Sequence, residues 1–310
     1  MTAESILAKL VSFQVLGGQS NMSIINWIKH YIESYNITTT LVSNKECNKA
    51  SLHCRIGPAI DGGVVLSGHT DVVPVKGQEW STNPFELIDK GDGKLYGRGS
   101  CDMKGFIACC LAALPDMVQA DLKKPIYFAF SYDEEIGCLA GHELAQSIRT
   151  HYRETPKYAI IGEPSLMQPI VGQKGIYILE TYVNGSAGHS SRIKEEVSAI
   201  HEAMRLMLWL EEKMNRLIEE GRIDNRFHPA HSSIHIGLVN GGIAPNVIAD
   251  KAHFFWDLRT IPMDRTETIL EEFETFCRQR EQELKSKFEH FKIKNFKLKF
   301  NFHTFTRRYT

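Results

Sequence analysis

Apolar residues along this chain recur with two periods, and the changes of period mark out its elements. Over residues 23–35, Ile24, Ile25, Trp27, Ile28, Tyr31, Ile32 and Tyr35 fall at helical spacing, with Asn21 or Ser23 placed to cap the start. Residues 1–17 read as a short amphipathic helix carrying Glu4 and Lys9. The period then shortens. Residues 38–42, 51–56 and 63–67 are β-branched or alternating runs separated by polar and Gly/Pro breaks, which predicts strands. Helical spacing returns over 103–118 and 141–150, and strands are predicted at 125–131 and 157–162. Strands alternating with helices predict an α/β sheet with mostly parallel connections.

Past Lys174 the order changes to a strand at 175–183, a long helix at 197–218, strands at 232–239 and 251–259, and a charged helix at 265–288. That order resembles a ferredoxin-like α+β unit forming a layer of its own. The expected organisation is a first domain from 1–173, the inserted unit from 174–290, and a return to the first domain over 291–310. This last stretch is aromatic and basic and shows no closing element.

Length supports two domains, since 310 residues exceed one ordinary compact domain. Lys plus Arg number 36 against 37 Asp plus Glu, with no long run of one sign, which argues against a nucleic-acid or polyanion partner. The N-terminus lacks the basic start and apolar run of a signal peptide. No stretch approaches the roughly 20 apolar residues that cross a bilayer, so no membrane association is expected. The seven cysteines, at 47, 54, 101, 109, 110, 138 and 277, show no paired C-x-x-C spacing. A cytoplasmic chain with reduced thiols is expected. Cys101, Cys109 and Cys110 fit helical packing as well as chemistry, and the charge run from Glu267 to Lys287 is a solvated helix face.

Four predicted element boundaries release acids or histidine. Gly68-His69-Thr70-Asp71-Val72-Val73-Pro74 follows an apolar strand, and carboxyl ends of strands in open sheets are where ligands bind. Residues i and i+2 of a strand share a face, so Asp71 is placed to approach the His69 imidazole. A carboxylate there fixes the tautomer and leaves the other nitrogen a better metal donor; a hydrogen-bonded turn His is the plain alternative. Asp102 stands where the next helix starts, either as its N-cap or as a bridge between two cations. Asp133-Glu134-Glu135 follows another strand, either as a solvated acidic turn or as a set in which one Glu binds metal and its neighbour takes a proton. Glu163 in Ile161-Gly162-Glu163-Pro164 is the fourth case. Their joint occurrence is more specific than any one of them.

These motifs, with Trp80, Pro84-Phe85, Leu95-Tyr96-Gly97-Arg98-Gly99 and Asp102-Met103-Lys104-Gly105, resemble the zinc-dependent aminoacylase and carboxypeptidase family of metallopeptidases. The resemblance covers about Glu4 to about Phe288. It implies a mixed-sheet, zinc-peptidase-like catalytic domain with an inserted ferredoxin-like lid and dimerisation domain. It also implies two Zn2+ per subunit, with Co2+ able to substitute: His69, Asp102 and Glu163 hold one ion, and Asp102 and Glu135 the other. Glu134 is then the general base, Asp71 orients His69, and the Asp102–Met103 peptide is cis. In Gly185-Ser186-Ala187-Gly188-His189-Ser190-Ser191, the resemblance makes His189 the group that reaches the partner's site in a homodimer and stabilises an oxyanion. Taken alone, His189 is a polar loop residue.

Arg259 could clamp a substrate carboxylate in bidentate fashion or form a strand-end salt bridge. Asn246 adds a hydrogen bond near the scissile amide or shapes a turn. Within the family the motifs come nearest to members that hydrolyse N-acetylornithine to ornithine and acetate in arginine biosynthesis. The alternatives are a succinyl-diaminopimelate or dipeptide hydrolase, or a metal-poor homologue that folds or dimerises without catalysis. Family members carry a final ligand His in a closing segment after the lid. Here only His290 and His303 follow the lid strands, neither in a Gly/His context, so a truncated or altered C-terminal part and a second zinc one ligand short are expected.

Overall fold

In the computed structural model, which describes residues 1–285, 288–302 and 305–306, the chain divides between Gln168 and Pro169 into two units. Unlabelled two-residue strands aside, the first unit opens with α1 (Ala3–Val11), where the Thr2 hydroxyl accepts the Ser5 N–H at 3.2 Å. Ile6, Leu7, Leu10 and Val11 form its buried stripe. The helix ends well before residue 17, and the chain continues as a loop that later backs the site. In α2 (Met22–Glu33), Ile24, Ile25, Ile28 and Ile32 are buried. Asn21 occupies the cap position but makes no side-chain cap bond. Its amide is wholly buried and donates instead to Ala50 O at 2.8 Å and to Thr70 Oγ1 at 3.2 Å.

Strands β1 (Thr39–Ser43), β2 (Ala50–Ile56), β3 (Val64–His69), β4 (Ile126–Ser131) and β5 (Tyr158–Ile161) form one sheet in the order β1-β2-β4-β3-β5. β1 with β2 and β2 with β4 are antiparallel, whereas β3 runs parallel to both β4 and β5. The sheet is mixed, and its parallel part is the part that carries acids. Alternation sends Phe128 and Phe130 of β4 to one face, where they join α1, α2 and α3 (Lys104–Gln119), while Ala129 meets Leu144 and Ile148 of α4 (Gly141–His151) on the other. β5 is an edge strand whose four residues are all exposed, Ile160 and Ile161 by more than half.

The second unit contains β6 (Gly175–Asn184), α5 (Ala199–Glu219), β7 (Ser233–Gly241), β8 (Lys251–Thr260), α6 (Thr266–Leu284) and β9 (Lys292–Phe302). Its sheet, in the order β7-β8-β6-β9, is antiparallel throughout. Strict alternation in β8 buries Ala252, Phe254, Trp256 and Leu258, which pack with Tyr177 and Leu179 of β6, Leu206 and Leu210 of α5, and Phe273 of α6. Trp256 satisfies its indole N–H on Thr181 Oγ1 at 3.1 Å.

Two expectations are corrected. Helix α6 stops at Leu284 rather than 288; residues 286 and 287 lie outside the described residues. The stretch expected to return to the first domain at 291–310 instead supplies β9, which pairs antiparallel with β6 and completes a β-α-β-β-α-β unit. Residues 305–306 pair with Gly172 and Gln173. The physical reason is the free edge of β6: its unpaired backbone groups accept the strand that α6 delivers, and nothing in the local residue pattern of 292–302 announces that partner.

Phe128→Ala is expected to destabilise the first unit by about 3–5 kcal/mol, because a wholly buried ring leaves a cavity. Ile161→Lys, on the exposed edge, should stay within about 0.5 kcal/mol of the parent. Urea unfolding of both variants checks the contrast.

Candidate metal centre

Three adjacent parallel strands end in the residues of interest. β3 terminates at His69, β4 leads into Asp133-Glu134-Glu135, and β5 leads into Glu163. Because the strands share a direction, these ends lie along one edge of the sheet. Gly162 permits this at β5: a Cβ there would lie 1.9 Å from Cγ of Phe106, so only glycine lets α3 pack against the chain beside Glu163. Asp102 comes from the loop before α3, and its peptide bond to Met103 is cis. Met103, not Asp102, holds the cap position, and no side chain caps that helix. Asp102 instead meets His69, with Nε2 and Oδ1 3.0 Å apart.

The same nitrogen lies 3.7 Å from Glu134 Oε2 and 3.8 Å from Glu163 Oε1. Donor atoms of His69, Asp102 and Glu135 fall within 4.8 Å of one another, and so do those of His69, Glu134 and Glu163. All five residues expected at the centre are therefore brought together. The grouping differs from the expected one: these sets share His69 rather than Asp102, Glu163 falls with Glu134 instead of Asp102, and Glu134, expected as the base, stands among the close donors.

The other ring nitrogen of His69, Nδ1, lies 2.9 Å from the Asp71 main-chain O and 3.6 Å from its Oδ1. The carbonyl is the nearer acceptor, and the carboxylate adds a longer contact and its charge. The Asp71 oxygens have a second task that the sequence does not reveal: they accept the N–H of Glu134 at 3.2 Å and of Glu135 at 3.1 Å. Lys104 was also missed as part of this region. Wholly buried, it donates from Nζ to Phe13 O at 2.8 Å, and burial pulls its pKa down to about 8 despite the nearby Asp71 charge. A lysine two residues beyond Asp102 offers no local sign of such burial.

The electrostatics favour a cation. Burial, then repulsion from Asp102, Glu134 and Glu135, raises Glu163 to about 7 although His69 opposes the shift. Glu135 is raised as well, by burial first and then by Asp102, Glu134 and Asp71. Burial disfavours the His69 imidazolium, yet Asp71, Glu134 and Glu163 outweigh it and lift the group to about 9. Among the described residues, no lysine or arginine forms an ion pair with Asp102, Glu134, Glu135 or Glu163. One imidazole and four crowded carboxylates form an oxygen-rich donor set whose negative charge His69 only partly compensates, which fits divalent ions.

The sequence profile of peptidase family M20/M25/M40 matches residues 65–300. The chain belongs to this family. Acetylornithine deacetylases of Pectobacterium atrosepticum, Proteus mirabilis and Aliivibrio fischeri are 35%, 33% and 31% identical over 254, 249 and 244 residues. Each match covers 79% of this chain but 62% of the relative. Among solved structures, a Staphylococcus aureus tripeptidase aligns with TM-score 0.70 and 20% identity, covering 99% of this chain and 77% of that one. An M20 metallo-carboxypeptidase of Sulfolobus solfataricus gives 0.70 and 15%, covering 96% and 79%. A dinuclear metal-binding M20 peptidase of Bacillus subtilis gives 0.61 and 17%, covering 99% and 75%. The M20 fold is thereby established.

The remaining expected residues lie in the second unit. The exposed His189 pairs across a two-residue bridge with Val247, its Nδ1 lies 2.9 Å from Ser191 Oγ, and Ser190 N–H donates to Asn246 O at 3.0 Å. The His189 loop and Asn246 are thus neighbours. Arg259 donates from Nε to Asp257 Oδ2 at 2.6 Å. Exposed His290 sits edge-on to Phe288 with centroids 6.0 Å apart; His303 lies outside the described residues.

Because Glu163 and His69 hold protons near neutrality without metal, divalent binding is expected to release protons. Zn2+ affinity should rise between pH 6 and 9, by about tenfold per unit for each proton displaced. Calorimetry in two buffers of different ionisation enthalpy reads that release directly; affinity that is flat or falling with pH contradicts it.

Proposed function

We propose that this M20 chain is a zinc-dependent amidohydrolase that removes the acyl group from an N-acyl amino acid, with N-acetylornithine as the first substrate. The convergence of Asp102, Glu134, Glu135 and Glu163 on His69 carries the reading. The named relatives supply the substrate class. His69, Asp102 and Glu163 would hold one ion, and Asp102 with Glu135 a second. When bound, such ions supply Lewis acidity, polarising a carbonyl and lowering the pKa of water from about 15.7 toward about 7.

Glu134 is the general base. Its side chain is a third exposed, so water reaches it, and the Cys138 thiol donates to its Oε1 at 3.3 Å. It takes a proton from the attacking water and returns it to the departing amine. Asp71 steadies a metal ligand and the base together, with its carbonyl against His69 and its carboxylate accepting the Glu134 N–H. The second unit acts as lid and dimerisation domain. There His189 stabilises the oxyanion across a homodimer, Arg259 exchanges Asp257 for the substrate carboxylate, and Asn246 binds near the amide. The setting is the cytoplasm and arginine biosynthesis.

The test is turnover of N-acetylornithine, succinyl-diaminopimelate and dipeptides by the purified chain with Zn2+ or Co2+, alongside elemental analysis. Release of ornithine with close to two zinc ions per chain supports the reading. No turnover of any substrate, with one ion or none, makes the chain a non-catalytic homologue. Glu134→Gln should lower kcat by about 10²- to 10⁴-fold while KM and zinc content hold.

A further inference from the structure

Glu134 and Glu135 stand in a turn rather than a strand or helix, so sheet pairing does not hold them. Gly137 and Cys138 N–H donate to Glu134 O at 2.8 and 2.9 Å, and Leu139 N–H donates to Asp133 O at 3.1 Å. Asp133 heads the turn at φ +54°, a left-handed conformation that Asp tolerates better than most residues. One side of the turn rests on Asp71 through the two amides already described. The other side is Asp133 itself, only 3% exposed. Its Oδ1 accepts Gly18 N–H at 2.8 Å and its Oδ2 accepts Lys49 Nζ at 2.5 Å.

Both partners are themselves fixed. Lys49 closes the β1–β2 turn, where its N–H donates to Asn44 Oδ1 at 3.0 Å and its O accepts Asn44 N–H at 3.0 Å. Gly18 belongs to the loop after α1, which is tied by Gly17 N–H to Val72 O at 3.3 Å and by Val72 N–H to Val15 O at 2.9 Å. A Cβ on Gly17 would lie 2.8 Å from Ile136 Cγ2, so this loop lies flat against the same turn. The Asp133 carboxylate thus joins the turn to two segments that contribute no metal donor.

We propose that Asp133, clamped between Lys49 and the Gly18 N–H, is a positioning residue that keeps Glu134 and Glu135 at the spacing metal binding and proton transfer require. Adjacent glutamates repel each other, and a turn anchored only through Asp71 is free to pivot about those two amides. A buried ion pair at its head removes that freedom, and the left-handed backbone at Asp133 means that rotation there would swing both glutamates. A purely stabilising ion pair predicts something else: replacing both partners by neutral groups should restore the protein, since buried pairs seldom add net stability.

This inference rests on the reading of Glu134 and Glu135 as metal-centre residues. Zn2+ affinity, measured by competition with a chromophoric chelator, and the melting temperature are followed together in the parent chain, Lys49→Arg, Lys49→Met, Asp133→Asn and the Lys49→Met/Asp133→Asn double variant. The expected result is near-parent binding in Lys49→Arg and a loss of about 10- to 100-fold in the others, the usual effect of removing a group that orients a ligand. In the double variant the loss should persist although the melting temperature recovers. If the double variant binds Zn2+ as the parent does, the clamp is structural only and the proposal falls. If Lys49→Met, which leaves every donor intact, shows no loss, it falls equally. A parent chain that binds no Zn2+ rejects the underlying metal-centre reading instead.

Discussion

Crowded negative charge around one imidazole is the constraint on which the first unit is organised. Four carboxylates that would separate in solution are drawn to His69, and the strain is visible in Glu135 and Glu163, both of which hold their protons more tightly than ordinary glutamates. The backbone supplies what keeps them together. Parallel pairing of β3 with β4 and β5 sets three chain segments side by side, pointing the same way, so their ends cannot drift apart without breaking the sheet. Divalent ions offset the repulsion, which is why a donor set of this composition suits an M20 metallopeptidase.

Around that edge, several buried polar contacts serve as supports rather than as chemistry. Asn21 ties Ala50 to Thr70, the residue after His69. Lys104 ties α3 to the loop after α1 through Phe13 O, and Asp71 and Asp133 hold the acidic turn from two sides. All of them join segments distant in sequence. The second unit shows a contrasting economy: an alternating sheet buries one face under two helices, and its polar candidates stay near the surface, where His189 and Asn246 meet at a short bridge.

The candidate centre was largely legible in the residue pattern because each of its donors follows an apolar run that reads as a strand, or opens a predicted helix. His69, Asp102, Glu134, Glu135 and Glu163 could be singled out for that reason, and family resemblance ranked them. The way they share ions was less legible, since it depends on side-chain directions: Asp102 meets His69 directly, and the sets of close donors share the imidazole. The fold was legible to a similar degree. Alternation in β8 and helical spacing in α2 and α5 identified their elements, while the ends of α1 and α6 fell short of the amphipathic stretches that suggested them.

By itself the sequence determined the local conformations and which residues could do chemistry, because backbone preference and alternation act over a few residues. Tertiary structure alone decided that residues 292–302 complete the second sheet instead of returning to the first, since their alternation of apolar residues with lysine suits a strand but does not say which open edge that strand fills. It also decided that Asn21 is a buried tie, that Lys104 lies out of water and that Asp133 is paired with Lys49. Each of those outcomes depends on partners about 30 to 90 residues away, and a contact across that distance is set by how elements pack, not by the residues that flank it.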